Sequence, residues 1–479
     1  MYHTTCQQAG YRPVRGSPNC GWCAGVRIST MLVDLRRVCH RRFLASAAWA
    51  AIGLLLAGTP HTACAAGVVG TGTPDSCTDA ALDVALAGGG LVTFDCGGPA
   101  TIDISTGTGT KTIAVDTTID GAGVATISGG NLAFTGGNTG NNVRVFSVNA
   151  GVTFTVQNLT VANGLAEGGG AILNNGMLTI ANSTFSNNYA NFNGRGGGAI
   201  LNNGMLTVAN STFSNNVAGY PGGGAILNNG MLAVTNSTFV RNRAFNGCEC
   251  ASAGGAIDSV GSSDELTVIN STFFDNQASY LGGAICGFGH ISNSIIAGTN
   301  GYYECCAQLI DDGHNIDSND GLCFTGTGCT GPTGPTDPSG SSFCNTNPQL
   351  DPRGLANNGG PTQTIALGSC SPAINAGDPA ICANPPVSGV DQRGLARPAV
   401  GHTQCSIGAY EADAVPASCC VGDCDSNSSV AINELVLGVD IVLGVQPVGA
   451  CPAFLTPSGG VDIAQLITAV NNELGGCGA

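Results

Sequence analysis

Residues 168–188 read GGGAILNNGMLTIANSTFSNN, and the pattern returns at 196–216 as GGGAILNNGMLTVANSTFSNN and at 222–242 as GGGAILNNGMLAVTNSTFVRN. Two shorter copies begin at Gly254 and Gly282. The alanine of each Gly-Ala-Ile lies at 171, 199, 225, 256 and 284, so the spacing is 28, 26, 31 and 28 residues. Self-similarity at a nearly fixed period of this length is typical of stacked repeat proteins.

Each repeat contains only strand and turn signals. Leu178-Thr179-Ile180 alternates apolar and polar side chains, and Asn174-Asn175-Gly176 is a turn sequence. Strands this short bury an apolar face only by stacking copy upon copy. In register, the stack forms one column of leucines and one of phenylalanines: Leu178, Leu206, Leu232, Leu266; Phe185, Phe213, Phe239, Phe273. We therefore predict an all-β protein, a right-handed parallel β-helix over residues 100–300.

Two sets of asparagines have an expected role in this stack. Asn182, Asn210, Asn236 and Asn270 share one register position, where their amides are predicted to form a hydrogen-bonded ladder. They also begin Asn-Ser-Thr glycosylation sequons, but a buried ladder position favours the structural interpretation. Asn174, Asn202 and Asn228 are expected to form a flat polar array able to hydrogen-bond glycans.

The Gly-Gly-Ala-Ile elements and the paired Phe-x-x-Asn elements (185–188, 213–216, 239–242, 273–276) resemble the repeats of polymorphic outer-membrane proteins, over residues 168–288. The fold itself is similar to that of pectate lyases. The first resemblance implies a bacterial surface β-helix protein. The second implies that an enzyme acting on polysaccharides must be considered, although fold alone does not establish activity.

The N-terminal region predicts export. Residues 31–66 combine a basic segment, an apolar stretch and Ala63-Cys64-Ala65, as in a secretory signal peptide. Residues 1–30 lack such a pattern and are interpreted as a misassigned start. An even 18 cysteines follow residue 66, which favours disulfides, and Cys77–Cys96 is the one pair predicted. We expect an extracellular or cell-surface location.

Charge excludes several kinds of partner. Beyond residue 66 there are 30 acidic and 8 basic residues, so a nucleic-acid partner is not expected because phosphates would be repelled. No long apolar run follows the leader, and no membrane-spanning segment is expected in the mature chain.

Flanking segments complete the predicted organisation. Residues 67–99 form an N-terminal cap with a short helix that plugs the open end of the β-helix. Residues 301–350 are a Cys-rich irregular insertion. In residues 351–412, four ordered motifs resemble the choice-of-anchor Q domain of bacterial surface proteins: NNGGPTQT from 357, SPAINAG from 371, DQRGLARP from 391 and CSIGAYE from 405. This resemblance implies a surface or secreted protein with a variable anchor after it.

Residues 420–477 contain two helical patterns, 432–443 and 463–474, and the first follows an EF-hand-like loop. The loop offers one Ca²⁺ site with these oxygen ligands: Asp423, Asp425, Asn427, Ser429 and Glu434. Ser428 replaces the usual glycine, and the second loop offers only Phe454, Thr456, Ser458 and Gln465, so at most one weak site is expected. The layout resembles a dockerin, which implies a cohesin-like receptor. A disulfide-tied helical end domain with an incidental acidic loop is the alternative.

The remaining candidate site is the acidic stretch 310–317, where Asp311, Asp312, His314 and Asp317 would form a carboxylate site. A solvated acidic loop is the simpler interpretation.

We therefore expect a surface or extracellular scaffold that binds a polysaccharide or another cell-surface ligand. The alternative is a polysaccharide lyase or glycoside hydrolase acting at Asp311–Asp317.

Overall fold

The computed structural model describes residues 67–130, 143–191, 196–219, 222–245, 253–262, 265–279, 282–298, 304–306, 309–318, 323–325, 342–368, 371–412, 421–424, 429–447, 450–454, 461 and 463–475. The predicted signal peptide, 31–66, and the preceding residues 1–30 lie outside these ranges. Within them the chain forms four parallel sheets, A to D, which it visits in turn on successive coils.

Sheet A is the longest of the four. Its strands are, in stacking order, β1 Gly67–Val69, β2 Gly90–Phe94, β5 Thr117–Asp120, β8 Thr153–Gln157, β12 Met177–Ala181, β16 Met205–Ala209, β20 Met231–Thr235, β24 Leu266–Ile269, β28 His290–Ser292, β30 Leu309–Asp311 and β32 Phe324–Thr325. Sheet B contains β3 Ala100–Asp103, β6 Ala125–Ser128, β9 Thr160–Ala162, β13 Thr184–Ser186, β17 Thr212–Ser214, β21 Thr238–Val240, β25 Thr272–Phe274, β29 Ile295–Ala297 and β31 Ile316–Asp317.

Sheets C and D are shorter. Sheet C contains β4 Lys111–Ile113, β7 Phe146–Val148, β11 Ile172–Asn174, β15 Ile200–Asn202, β19 Ile226–Asn228, β23 Ile257–Ser259 and β27 Ile285–Cys286. Sheet D contains β10 Leu165–Ala166, β14 Tyr189–Ala190, β18 Val217–Ala218, β22 Arg243–Ala244 and β26 Gln277–Ala278. Parallel strands that recur once per coil confirm the predicted parallel β-helix.

The interior follows the predicted register. Leu178 pairs with Leu206, and Leu206 with Leu232, in sheet A. In sheet B the rings of Phe185, Phe213, Phe239 and Phe273 stack nearly parallel with centroids 5.0, 4.8 and 4.8 Å apart. Each ring is fully buried. The predicted leucine and phenylalanine columns are therefore confirmed, and they form the core.

The glycine triplets lie where coils touch backbone to backbone. A Cβ added at Gly222 would lie 1.9 Å from the carbonyl oxygen of Gly196, and one added at Gly198 would lie 2.2 Å from that of Gly224. Any side chain here would push successive coils apart. This explains why each repeat begins with glycines.

The predicted asparagine ladder is wrong in position. Asn182, Asn210, Asn236 and Asn270 have φ of 50°, 50°, 46° and 48° and form the bend between sheets A and B. Two other columns, both buried, carry amide ladders. One runs Asn174, Asn202, Asn228 with Nδ2–Oδ1 distances of 2.7 and 2.7 Å. The other runs Asn188, Asn216, Asn242, Asn276 with 3.0, 2.9 and 3.0 Å. Asparagine suits the bend because it tolerates left-handed backbone better than most residues.

The β-helix extends beyond both ends of the predicted 100–300 range. β1 and β2 are the first rungs of sheet A, and β30, β31 and β32 continue sheets A and B to residue 325. Helix α1 (Asp79–Leu86) packs on β1 through buried Leu82 and Ala85 and covers the first coil. The predicted Cys77–Cys96 disulfide is present. Cys286–Cys306 and Cys305–Cys323 fasten the last coils.

Residues 342–412, here called the clasp segment, form few regular elements. They include α2 (Pro379–Ala383), isolated bridges and the Cys382–Cys405 disulfide. The tail contains α3 (Ile432–Val442), a 3-10 turn at Pro452–Phe454, α4 (Ile463–Gly475) and the Cys424–Cys451 disulfide. In the described part of the chain no helix is both long and apolar enough to cross a bilayer.

Candidate functional site

The central strands of sheet A present a regular exposed surface. In β8, β12, β16 and β20, alternate residues point outward and the intervening ones are buried. The first outward column contains Met177, Met205 and Met231, which are 45%, 37% and 38% exposed. The next contains Thr155, Thr179 and Thr207. We call these six side chains the Met–Thr face.

All of the methionines beyond residue 66 lie in this one column, since the sequence contains only two others, Met1 and Met31. The outward positions of these four strands hold no charged side chain. Strands stack about 4.8 Å apart, so the thioethers and hydroxyls repeat at that interval along the β-helix axis. The result is a neutral, periodic surface with apolar and hydroxyl rows side by side.

Beside the methionines runs an exposed amide row. Asn203 Nδ2 donates to Asn175 Oδ1 at 2.9 Å, and Asn229 Nδ2 donates to Asn203 Oδ1 at 2.9 Å. All three asparagines are exposed. This row borders the Met–Thr face and extends it with amide donors and acceptors.

The asparagines predicted to contact glycans are in fact buried. Asn174, Asn202 and Asn228 have no exposed surface, and their amides bind one another. Their neighbours Asn175, Asn203 and Asn229 point to solvent instead. Two consecutive asparagines in each repeat made the choice ambiguous, because the turn decides which amide turns inward.

The four acidic-stretch candidates do not come together. Asp311 lies in β30 at the interior position occupied by Ile291 in the preceding strand. Its Oδ1 accepts hydrogen bonds from the Gly313 N–H (2.9 Å), the Asn315 amide (2.6 Å) and the Ser342 hydroxyl (2.9 Å). It is therefore a structural carboxylate that ties the end of β30 to the residues after it and to Ser342.

Asp317 does not lie in a solvated loop either. It lies in β31 of sheet B, is fully buried and accepts the Cys323 N–H at 3.3 Å. The buried Glu304 carboxylate and Cys323 Sγ lie near it, within 4.8 Å of one another. Cys323 is bonded to Cys305, so this group holds two carboxylates and no thiolate ligand. The solvated-loop interpretation is wrong for Asp311 and Asp317.

The other two candidates face different surroundings. Asp312 Oδ2 lies 2.9 Å from His290 Nδ1, with both side chains partly exposed. His314, at φ 57°, donates from Nδ1 to the Ala376 carbonyl in the clasp segment at 2.7 Å. Of the four residues, only Asp312 offers an exposed carboxylate paired with a histidine.

The choice-of-anchor-like motifs meet in a buried charged cluster. Arg393 Nε donates to Asp391 Oδ2 at 2.8 Å, and its guanidinium lies 3.8 Å from the centre of the Tyr410 ring. Arg397 Nε lies 3.3 Å from Glu411 Oε2, and Arg397 Nη1 donates to the Gly408 carbonyl at 2.8 Å. Burial lowers the pKa of Arg397, while the Glu411 and Asp391 carboxylates oppose that shift. These motif residues hold the clasp segment together.

The clasp segment also binds the flank of the β-helix. Gln392 Oε1 accepts the Thr238 hydroxyl at 2.6 Å, and its Nε2 donates to Thr212 Oγ1 and Thr362 Oγ1, both at 2.9 Å. Asn236 Nδ2 donates to the Val390 carbonyl at 3.0 Å. Sheet B is thereby covered, whereas the Met–Thr face of sheet A remains exposed.

Two residues of the predicted calcium loop are placed in the structure with buried side chains. Asp423 is 6% exposed and Glu434 is 3% exposed. Glu434 accepts the Cys424 N–H at 2.6 Å and the Ala431 N–H at 2.8 Å, so its carboxylate faces the loop. Ser429 is exposed. Asp425 and Asn427 lie outside the described residues.

The tail helices bury only part of their apolar surface. Their core consists of Val430, Ile441, Cys451, Phe454 and Ala469. Gly438 permits close packing, since a Cβ there would lie 2.4 Å from the Phe454 ring. Apolar residues with helical spacing in the two helices are exposed by 40–78%: Ile432, Val436, Val439, Val442, Ile467, Val470, Leu474. Phe454, position 1 of the second loop, is a core residue.

Residues 270–287 match the family model described as the Chlamydia polymorphic membrane protein repeat. The matched stretch contains Phe273–Asn276 and the Gly-Gly-Ala-Ile of 282–285, and spans β25, β26 and β27. Comparison with curated proteins and with solved structures gave no match. The chain is therefore a disulfide-bonded repeat protein of the parallel β-helix type, and one of its repeats is similar to that family's.

Proposed function

We propose that this protein is an exported surface or extracellular scaffold that binds a neutral ligand across the Met–Thr face. The observation that carries the proposal is the exposed, in-register array of Met177, Met205 and Met231 beside the Thr155, Thr179, Thr207 column. A surface location is supported by the repeat match, by the leader-like sequence of 31–66 and by the disulfides.

The chemistry of the face favours a neutral polysaccharide. Sugar rings offer apolar C–H faces and hydroxyls, which suit rows of thioethers, threonine hydroxyls and amides. The excess of acidic residues in the exported chain disfavours anionic polymers. Repetition along the β-helix axis suits a ligand that is itself repetitive, because each coil can contribute the same small contact.

The test replaces Met177, Met205 and Met231 together by glutamine, which keeps the side-chain length and removes the apolar contact. Retention on neutral polysaccharides should fall about tenfold or more, since about 1.4 kcal/mol of lost binding energy is tenfold in Kd. The matched control replaces three exposed apolar residues elsewhere, Val84, Leu395 and Val400, by glutamine. Equal retention by both triple variants would exclude the face as the binding site.

A polysaccharide lyase or hydrolase remains the second candidate because His290 in β28 and Asp312, directly after β30, form a partly exposed acid–base pair at 2.9 Å. Turnover of a polysaccharide that is lost in Asp312→Asn and retained in the triple methionine variant would establish it. Turnover that persists in Asp312→Asn would exclude this pair as its source.

For the tail we propose one calcium site made by Asp423, Asp425, Asn427, Ser429 and Glu434, with docking to a cohesin-like receptor. The support is electrostatic: Asp423 and Glu434 are buried, and residues 413–479 contain seven carboxylates and no lysine, arginine or histidine. A divalent cation would compensate buried negative charge, and carboxylate, amide and carbonyl oxygens are ligands that Ca²⁺ takes.

The calcium proposal is tested by the unfolding temperature of the full chain with calcium and with chelator. Calcium should raise it in the wild type and in Glu473→Gln, which lies outside the loop, but not in Glu434→Gln. An unchanged temperature in the wild type would contradict the site.

A further inference from the structure

Lys111 is the sole lysine beyond residue 66, and it is 4% exposed. It begins β4, at the end of the β-helix covered by α1. Its Nζ lies 2.5 Å from Asp79 Oδ1 and 2.6 Å from Asp83 Oδ1, two carboxylates one turn apart on α1. Its hydrocarbon stem and amine are thus enclosed between the cap helix and sheet C.

The contact with Asp79 is not an ordinary hydrogen bond. Asp79 Oδ1 is buried and accepts no hydrogen bond, although the amine nitrogen is 2.5 Å away. The amine therefore approaches outside the hydrogen-bonding directions of that oxygen. In contrast, Asp83 Oδ1 accepts a hydrogen bond from the same nitrogen.

The second oxygen of Asp79 is held separately. Asp79 Oδ2 accepts the Thr108 N–H at 2.9 Å and the Thr108 hydroxyl at 3.3 Å. The same hydroxyl contacts Asp83 Oδ2 at 2.6 Å. One carboxyl oxygen is thus fixed by donors while the other has none, next to a nitrogen nucleophile and a second carboxylate.

We propose that Lys111 and Asp79 become joined by an intramolecular isopeptide bond. Asp83 takes a proton from the Lys111 ammonium, and the freed amine attacks Cγ of Asp79. Negative charge develops on Oδ2, where Thr108 stabilises it. The C–Oδ1 bond then breaks, and Oδ1 leaves as water with two protons: the one that Asp83 took from the ammonium, and a second that Asp83 relays from the attacking nitrogen. Ammonium and carboxylate give amide and one water, with no oxidant or reductant.

The bond would link positions 32 residues apart and fasten α1 to sheet C. It would act beside Cys77–Cys96, which joins the start of the cap to the end of β2. The first coil exposes a sheet edge that α1 covers, so a covalent link there keeps the cap in place. Unlike the disulfide, an amide survives reducing conditions.

The test is the mass of the purified, exported full chain after reduction and alkylation, together with digestion by a lysine-specific endoproteinase in denaturant. The wild type should be lighter than its sequence by one water and should not be cut, because its one lysine is acylated. Lys111→Arg should have its full mass. Asp83→Asn should also have its full mass and should be cut into one fragment ending at Lys111 and one beginning at Thr112.

Val400→Lys supplies the control for the protease, since position 400 is 96% exposed and this variant must be cut there once. If Lys111→Arg does not fold, Asp83→Asn serves as the variant without the bond, because asparagine preserves the shape of the site. Wild type of full mass that is cut after Lys111 would overturn the proposal. A mass one water below that of the sequence in Lys111→Arg would also overturn the proposal.

Discussion

The repeat coils and the clasp segment use the same chemical groups at very different sequence separations. In the coils, Asn188 binds Asn216 at a separation of 28 residues, and the contact recurs on each following coil. In the clasp segment, Gln392 reaches Thr212 across 180 residues, once. The coils are stabilised by nearest-neighbour contacts repeated along one axis, whereas the clasp depends on a few unrepeated ones.

This difference has a functional consequence. Repeated contacts build a regular face, and the unrepeated ones decide which face remains open. Because the clasp segment covers sheet B through Thr212 and Thr238, sheet A alone of these two displays its repeats to solvent. Substitutions in the two regions should therefore differ in the size and the extent of their effects.

The largest effect is expected in the phenylalanine column. Phe213 is fully buried and stacks on both neighbours, at 5.0 and 4.8 Å. Phe213→Ala leaves a cavity in the middle of the stack and should lower the free energy of unfolding by about 3–5 kcal/mol. Denaturant unfolding measures it, with Met205→Ala on the same coil as the exposed control. Similar losses for both variants would contradict a core built on this column.

Next comes the buried amide ladder. Asn216 donates to Asn242 and to the Phe185 carbonyl and accepts from Asn188, all while fully buried. Asn216→Ala leaves several of these groups unpaired and should cost about 2–3 kcal/mol. Asn203→Ala removes the exposed ladder of the same coil and should cost under about 0.5 kcal/mol. Equal costs measured in the same denaturant series would show that burial does not distinguish the two ladders.

A smaller and more local effect is expected at the clasp. Gln392→Ala removes the partner of the Thr238 and Thr212 hydroxyls and should cost about 1–2 kcal/mol. Hydrogen exchange should quicken in 371–412 and stay unchanged in β12 to β20, because the coils do not need the clasp to stack. Faster exchange throughout sheet A would mean that the two regions unfold together.

The smallest effect is a pH dependence inside sheet A. Burial alone would raise the pKa of Asp120, but the Asn158 amide, the Ala122 N–H and the Gln157 amide outweigh it and hold the pKa below 3.8. The folded state thus favours the carboxylate, so this stabilisation is complete above pH 3.8 and is lost as the pH falls through the folded pKa. Asp120→Asn should have a lower unfolding temperature than the wild type at neutral pH and approach it in acid. A difference that does not change with pH would contradict the assignment.

The repeat period predicts which core residues stack on one another, because the coils repeat along a single axis. Once the period was known, Leu178 had to lie under Leu206 and Phe185 under Phe213. The period does not say which asparagines in a repeat turn inward, because that depends on the local backbone: the turn after Asn174 in one case and the left-handed bend at Asn182 in the other. The sequence alone therefore predicts the ladder at the bend and Asn174 at the surface, whereas Asn174 is buried in a ladder and Asn182 forms the bend.

Beyond the repeats, sequence patterns predict helices and motifs but not the residues that they pack against. Both tail helices were predicted, yet the stripe with helical spacing is largely exposed and Gly438 marks the packed face instead. The charged motifs around Asp391 and Arg393 were recognisable, but nothing local indicated that Gln392 between them binds sheet B. The sequence around Lys111 does not mark it as a site, because its partners lie on α1, about 30 residues earlier.

The most direct test of the scaffold is to incubate the mature chain with a panel of neutral and acidic polysaccharides. Retention, unsaturated products and reducing ends are measured together, with calcium and with chelator. We predict retention on a neutral polymer, weakened by replacing Met177, Met205 and Met231 with glutamine, and no product. Product formation that disappears in Asp311→Ala or Asp312→Ala would contradict the account and make the protein a carbohydrate-active enzyme.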